Sequence, residues 1–265
     1  MPNLMSDQEF AQRFRAAMEV VAQRETHQFV FEMANTPVAQ PRASAIGTCA
    51  LQQLWRIQGK KPSMPPNPTS LWPQLLGLAG QSIVEEILRV MGYEVINGKR
   101  EYHFGPMVCH PDGLLRGLDL GDSTALWDCK VRNLYGLSEL LRKGLPDAEP
   151  AMEAQMQVGM AATSTELTII TALPFDLSAA RLEVFRKRGI ETAEPLVNRV
   201  IVQASKERQD LMLARGEALS VAALTGMTVA REFNPADGKF PCTFCPFMED
   251  CLLNTAEPDM VIPAL

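Results

Sequence analysis

The stretch Gly105–Lys130, GPMVCHPDGLLRGLDLGDSTALWDCK, holds the residues best spaced for chemistry. An apolar run leads to Asp112, a Gly- and Asp-rich turn follows, and a second apolar run ends on Asp128, Cys129 and Lys130. Alternate side chains of a strand share a face, so Asp128 and Lys130 project together while Trp127 and Cys129 point the other way. A turn near residues 117–123 folds the two runs into a hairpin and carries Asp112 close to that pair. Two carboxylates in reach of one another repel unless a cation lies between them, and oxygen ligands suit Mg²⁺ or Mn²⁺. A lysine beside such a site holds a water or a phosphate by its charge. Asp-Gly is also an ordinary turn dipeptide and Asp-x-Lys an ordinary pattern on exposed strands, so this reading leans on the rest of the chain.

A second constellation sits in the tail. FPCTFCPFMEDC gives Cys242-x2-Cys245-x5-Cys251, and a Cys-x2-Cys step curls two thiolates round one metal centre. Of the six cysteines, Cys109 and Cys129 lie in the apolar runs and read as small buried residues, which leaves Cys49 as the best fourth ligand. Four thiolates hold either a structural zinc or an iron–sulfur cluster. Zinc knuckles usually come as two Cys-x2-Cys pairs; a lone first cysteine and a distant trio suit a cluster better. Such a centre would tie the two ends of the chain together, a structural role.

These groups need elements to position them. Residues 6–34 read as a helix, with Ser6 and Glu9 at capping-box spacing and Phe10, Phe14, Ala17, Val20 and Val21 at helical intervals. Residues 46–58 form a short helix with Cys49 near its first turn, and the prolines at 62, 65, 66, 68 and 73 make an extended connection. A helix over 74–91 ends at Gly92. Strands begin at Tyr93–Val95 and Glu101–Phe104. A loop is expected from 131 to 150, a helix over Ala151–Thr163 and a buried β-branched strand over Leu167–Leu173. Ala180–Phe185 reads as a further strand and Glu194–Gly216 as a long charged helix, while 217–231 carries no clear pattern. Helices, a β-meander, a helix and another strand make a mixed α/β core.

At 265 residues, 46% hydrophobic and 21% charged, the chain is long enough for a full core. No apolar run has the length that spans a bilayer and no leader pattern opens the sequence, so a cytoplasmic location without membrane contact is expected. A formal charge of −6 argues against a protein that coats DNA non-specifically. It leaves room for local basic clusters: Arg56, Lys60 and Lys61; Lys99 and Arg100; Arg142 and Lys143; Arg186, Lys187 and Arg188.

Taken in this order, the parts resemble the PD-(D/E)XK nuclease superfamily, and within it the iron–sulfur branch of CRISPR-associated four-cysteine nucleases and RecB-type and AddB-type nuclease domains. His110-Pro111-Asp112-Gly113 matches the acidic motif, Asp128-Cys129-Lys130 the D-x-K signature, and Gln155-Met156-Gln157 the glutamine helix, a stretch that also resembles lambda-type exonucleases. One cysteine before the core and three after it match Cys49, Cys242, Cys245 and Cys251. Two departures stand out. Gly159 occupies the place of a RecB-type tyrosine, and Gln81 the place of a His or Glu metal ligand, with Glu85 on the same helical face.

The resemblance implies a single domain over 1–265 with a restriction-endonuclease-like α/β core, a mixed central sheet flanked by helices. It would comprise an N-terminal helical region (1–73), the nuclease core (74–231) and a C-terminal cysteine segment (232–265). It implies a Mg²⁺- or Mn²⁺-dependent DNA exonuclease of phage or bacterial type, serving recombination, repair or CRISPR-type processing. Asp112, Asp128 and the carbonyl of Cys129 would hold metal, with Glu85 or Gln81 adding a ligand. Lys130 would activate or position the attacking water, and Gln155 would orient substrate or lysine. The four cysteines would hold a 4Fe–4S cluster, with zinc as the alternative. DNA is the implied partner; no helicase motif is present, so any helicase or recombination partner is another chain. The alternatives are a DNA-end-binding or docking module that has lost chemistry, and a zinc-stabilised scaffold.

Overall fold

Ser6 accepts a hydrogen bond from the Glu9 N–H at 3.2 Å and so caps α1 (Asp7–Ala22), whose buried stripe is Phe10, Phe14, Ala17 and Val21. The protein is seen here as a computed structural model that describes residues 4–22, 39–64, 71–97, 100–176, 197–237, 242–254 and 257–263, with Pro2, Glu183, Arg186 and Lys187. The expected helix beyond residue 22, and Lys99 and Arg188, lie outside the described residues; of the expected strand at 180–185 Glu183 alone is described, and it is helical.

After α2 (Ala50–Ile57) and α3 (Leu71–Met91) come β1 (Glu94–Asn97), β2 (Tyr102–Phe104), β3 (Met107–Cys109), β4 (Gly113–Arg116) and β5 (Ala125–Arg132). Helices α4 (Leu134–Lys143), α5 (Leu145–Ala148) and α6 (Pro150–Thr163) lead to β6 (Leu167–Pro174) and β7 (Asn198–Gln203). Helices α7 (Lys206–Thr225) and α8 (Met248–Leu253) follow. The central sheet runs β1-β4-β5-β6-β7, antiparallel except for the β5–β6 pair. The molecule is thus the expected mixed α/β structure with a central sheet between helices.

One face of the sheet packs Trp127 and Ile169 against Phe10, Phe14, Val84, Ile87 and Leu88 of α1 and α3. The other packs Leu126 and Ile170 against Leu137 and Leu140 of α4 and Met152, Met156 and Met160 of α6. A third cluster joins Ile46, Leu51 and Leu54 to Met212 and Leu219 of α7 and to Cys251 and Ile262 of the tail. Residues 167–172 of β6 are buried without alternation, as a strand covered on both faces must be.

Three expectations need correction. The stretch after Lys130 is not a loop: Leu134, Leu137 and Leu140 line one helical face, and the Asn133 side chain caps it by accepting from the Gly136 N–H at 2.6 Å. Residues 198–203, placed in a long helix, form the strand that borders β6; NRVIVQ is β-branched, and sheet pairing outweighs the charged stretch that follows. The helix itself starts at Lys206, capped by Ser205, and runs to Thr225. Finally, Tyr102–Phe104 and Met107–Cys109 pair with each other in a separate two-stranded ribbon and do not extend the meander.

Asp119, in the turn between β4 and β5, docks the N-terminus on the sheet. It accepts hydrogen bonds from the Met5 N–H and the Tyr93 O–H, both at 2.7 Å, and from Arg199 Nη1 at 3.4 Å. Burial first, then this acid, push the Tyr93 phenol far above its ordinary pKa. Truncating one partner of a buried charged network leaves the others unpaired. Asp119→Ala is therefore expected to lower stability by about 2–3 kcal/mol, read as a reduced midpoint in urea unfolding.

Candidate active site and cysteine pocket

The β4–β5 ladder ends at the Gly113–Trp127 pair, so Asp112 and Asp128 each lie one residue beyond its last rung. The hairpin is what brings the two acids together. The Cys129 N–H donates to Asp112 Oδ2 at 2.8 Å. Lys130 Nζ lies 3.0 Å from Asp128 Oδ1, to which it donates, and 2.8 Å from Oδ2. That second contact is out of line for a hydrogen bond, and buried Asp128 Oδ2 has no hydrogen-bond partner among the described residues.

Burial, and then the Asp128 charge, push the Asp112 carboxyl up to about 7; the Glu85 charge adds to this, while Lys130 and the Cys129 N–H oppose it. Burial pulls the Lys130 amine down, but the charges of Asp128 and Asp112 outweigh it and hold the group above its ordinary pKa. Lys130 is therefore an ammonium at neutral pH. Two acids share one lysine in a low-dielectric place, and Asp128 Oδ2, although 2.8 Å from the ammonium, accepts no hydrogen bond among the described residues. Hard oxygen donors in this state fit a divalent cation.

The remaining candidates lie around this pair. Glu85, on α3, is close enough to bias Asp112 and is ion-paired to Arg89 at 2.5 Å. Gln81 is half-buried one turn earlier. The helix can come this near because residue 80 is glycine: a Cβ there would lie 2.4 Å from Val131 Cγ2. Gln155 is half-buried on α6, and among the described residues no hydrogen bond joins it to Asp112, Asp128 or Lys130. Gln157 instead ties α6 to the end of β7, donating to the Gln203 carbonyl and accepting from the Ser205 N–H, both at 2.9 Å. Gly159 has a packing reason: a Cβ there would lie 2.6 Å from Leu126 Cδ2, so α6 cannot carry a tyrosine at this place.

Two neighbours were not singled out from the sequence. Arg132 continues the Asp128–Lys130 face and pairs with Glu149 at 2.6 Å; the alternation Asp-x-Lys-x-Arg was its signal. Cys109 is pushed up to about 12, by burial first and then by Asp128 and Asp112, so it sits beside the acids as a neutral thiol.

The other four cysteines converge from distant parts of the chain. Cys49 is the N-cap of α2, Cys242 opens a 3₁₀ turn, the Cys245 N–H donates to the Cys242 carbonyl at 3.0 Å, and Cys251 lies in α8. All four line one pocket with Trp55 and Met248, and all six cysteines are unpaired. The thiols of Cys242, Cys245 and Cys251 are raised above their ordinary pKa, chiefly by burial and in part by one another and Cys49. Thiols so raised stay protonated unless a metal takes the proton's place, and four cysteines round one pocket are a donor set that fits a thiolate-held metal centre. Among the described residues no three His, Cys, Asp or Glu side chains already stand in a metal-holding arrangement.

Arg215 of α7 holds the Cys49 segment in place. Its fully buried guanidinium donates to the carbonyls of Ile46 (2.7 Å), Thr48 (2.8 Å) and Pro263 (2.6 Å) and forks onto Glu232 at 2.7 and 2.8 Å. Glu232 in turn accepts from the Ala50 N–H at 2.7 Å.

No family model matches this chain, and no curated protein does. Among solved structures it is similar to an alkaline exonuclease from Laribacter hongkongensis, at 17% identity over 72% of this chain and 88% of that one, with a TM-score of 0.46. The same exonuclease in complex with dAMP matches at 16% identity with the same coverage and TM-score. A phage-related exonuclease from Haemophilus somnus 129PT matches at 12% identity over 70% and 92% of the two chains, with a TM-score of 0.46. None of these likenesses assigns a residue or an activity to this chain. Among the described residues no helix is long and apolar enough to cross a membrane.

The raised Asp112 gives a pH signature. Between the ordinary carboxylate value of 3.8 and about 7 the folded protein keeps a proton that the unfolded chain has released. Stability in EDTA must then fall as pH rises through that window, by at most about 1.4 kcal/mol per pH unit, and level off above it. Asp112→Asn is expected to flatten the slope, and Mn²⁺ to raise the melting temperature of the wild type but not of the variant. Thermal melts between pH 5 and 8 check both.

Proposed function

We propose that the chain is a divalent-metal-dependent deoxyribonuclease, acting as an exonuclease in DNA recombination, repair or CRISPR-type processing. The observation that carries this reading is the convergence of Asp112 and Asp128 at the end of one hairpin, with the Cys129 N–H on Asp112, Lys130 paired to Asp128, and Asp128 Oδ2 left without a hydrogen bond among the described residues. Asp112, Asp128 and the Cys129 carbonyl would hold Mg²⁺ or Mn²⁺, with Glu85 or Gln81 the nearest further ligands. When bound, the cation would supply Lewis-acid stabilisation of the charge that develops on the scissile phosphate. Lys130, kept charged by the two acids, would position the attacking water or a phosphate oxygen and not take up a proton. Gln155 would orient the substrate or Lys130. Asp128 is buried and Asp112 half-buried, which keeps these charges in a setting of lower dielectric than water, where each is worth more.

The same reading assigns Cys49, Cys242, Cys245 and Cys251 to a 4Fe–4S cluster, a structural fastening that joins α2 to the tail. Anaerobically purified protein is expected to be brown and to carry about four irons per chain. Cys245→Ser should lose the colour and most of the iron, whereas zinc in place of iron would support the alternative centre.

A DNA-end-binding module on the same fold is the second reading, favoured by an uncharged Gln81 and by the engagement of Glu85 with Arg89. Cleavage decides between the two. With end-labelled linear DNA and Mn²⁺, the wild type should degrade the strand, EDTA should stop it, and Asp128→Ala or Lys130→Ala should reduce the rate at least about 100-fold. A folded, cluster-loaded wild type that leaves DNA intact would overturn the enzyme reading.

A further inference from the structure

Most aromatic rings of the described chain are buried or half-buried. Among the described residues the exposed ones are Tyr135 (61%), Phe175 (49%) and Phe233 (42%). Phe233 lines the cysteine pocket. Tyr135 and Phe175 meet at one corner of the sheet, and neither belongs to any of the three core clusters. Helix α4 buries Leu134, Leu137 and Leu140 and leaves Tyr135 outward, while Phe175 is the first residue beyond β6. An aromatic side chain kept in water forgoes the burial of about 150–250 Å² of surface.

Hydrogen bonds fix this corner. The Phe175 N–H donates to the Arg132 carbonyl at 2.9 Å, and Asp176 Oδ1 accepts from the Leu134 N–H at 2.7 Å. The segments that follow β5 and β6 are thereby laced to each other, and Asn133 caps the turn of α4 that carries Tyr135. Exposed rings on a backbone held in this way have little freedom left to lose on binding.

The corner is continuous with the acid pair. β5 and β6 are the parallel pair of the sheet, and their last rung joins Arg132 to Pro174. Ligands of open α/β sheets gather beyond the carboxyl ends of the strands, and Tyr135 and Phe175 are the first aromatic residues past that rung on each chain segment. Lys130 lies on the same strand face as Arg132, about 7 Å back along β5. The intervening chain holds Tyr135 within about 18 Å of Lys130. The ground is also cationic: Arg142 and Lys143 share one acid, Glu139, and Arg142 is within electrostatic reach of Tyr135. Exposed rings with surplus positive charge match unpaired nucleotide bases, which offer π-faces on an anionic backbone.

We propose that Tyr135 and Phe175 form a stacking platform for unpaired bases of the strand whose backbone lies at the acid pair, so that the chain engages single-stranded or frayed DNA. The proposal rests on the nuclease reading and gives it a strand preference. A closed duplex keeps its bases stacked on one another and offers the platform only its last pair.

The test is fluorescence anisotropy on the full, cluster-loaded chain in EDTA, with three labelled 12-mers: a single strand, a blunt duplex and a strand of abasic sites. Tyr135→Ala and Phe175→Ala should each weaken single-strand binding about 5- to 150-fold, the range for one lost base–aromatic stack. The slope of log affinity against log salt should stay as it is, because no phosphate contact is lost. Tyr135→Phe and Phe175→Tyr should keep wild-type affinity, and the alanine variants should bind the duplex and the abasic strand as the wild type does. Melting temperature and iron content are read on each variant, and Tyr135→Gln or Phe175→Gln replaces an alanine variant that melts early. Unchanged single-strand affinity in both variants would overturn the proposal. So would an equal loss on the abasic strand, which marks a general defect, or a wild type that binds no DNA, which would leave the corner to a protein partner. Cleavage with Mn²⁺ is read separately. Cleavage with unchanged affinities sinks only the platform; base-dependent losses in a chain that cleaves nothing sink only the nuclease reading.

Discussion

A guanidinium without solvent must have every N–H bonded, and Arg215 meets that demand with five acceptors drawn from three parts of the chain. It stands on α7 and collects the carbonyls of Ile46 and Thr48, the carboxylate of Glu232 and the carbonyl of Pro263. Breaking a buried charge pair of this kind costs about 3–5 kcal/mol, because the surviving charge stays buried. The segment so fastened carries Cys49 at the start of α2, and the segment beyond Glu232 carries the other three cysteines. The pocket the four share is therefore a consequence of one charge being satisfied. Near the same α2 segment, the carbonyls of Ile46 and Thr48 also orient Gln53.

The acid pair obeys the opposite logic. Where Arg215 has all its partners, Asp112 and Asp128 have one lysine between them and an oxygen left over. Buried polar groups in a folded chain are normally satisfied, and places where that rule fails are where chemistry is expected. The surrounding scaffold makes the imbalance tolerable. Trp127, behind the pair, is itself anchored by a hydrogen bond to Thr171 at 3.1 Å, and β5 is pinned between an antiparallel and a parallel neighbour. Small residues at 80 and 159 let α3 and α6 close on the two faces of the same strand.

Much of this was legible in the sequence. The alternation of Asp128, Cys129 and Lys130 set which side chains share a face, because a strand has a period of two whatever its surroundings. The Gly- and Asp-rich turn gave the hairpin, and LTIITAL gave a strand buried on both sides. Local pattern failed where local signals conflict. Gly136, Gly144 and Pro146 hid α4 and α5, whose leucines need the sheet as a packing surface before a helix is favoured. Asn198–Gln203 took its structure from β6, a neighbour distant in sequence.

What the sequence determined by itself was the inventory: two acids and a lysine at strand spacing, three clustered cysteines and a fourth far away, and helices and strands in α/β order. What only the tertiary structure decided was proximity and charge state. Asp112 meets Asp128 just beyond the last rung of a hairpin, and its carboxyl rises towards neutrality because it loses solvent beside a buried acid. Cys49 meets the tail because Arg215 gathers both. Desolvation and pairing depend on what surrounds a group in space, and no spacing along the chain contains that information.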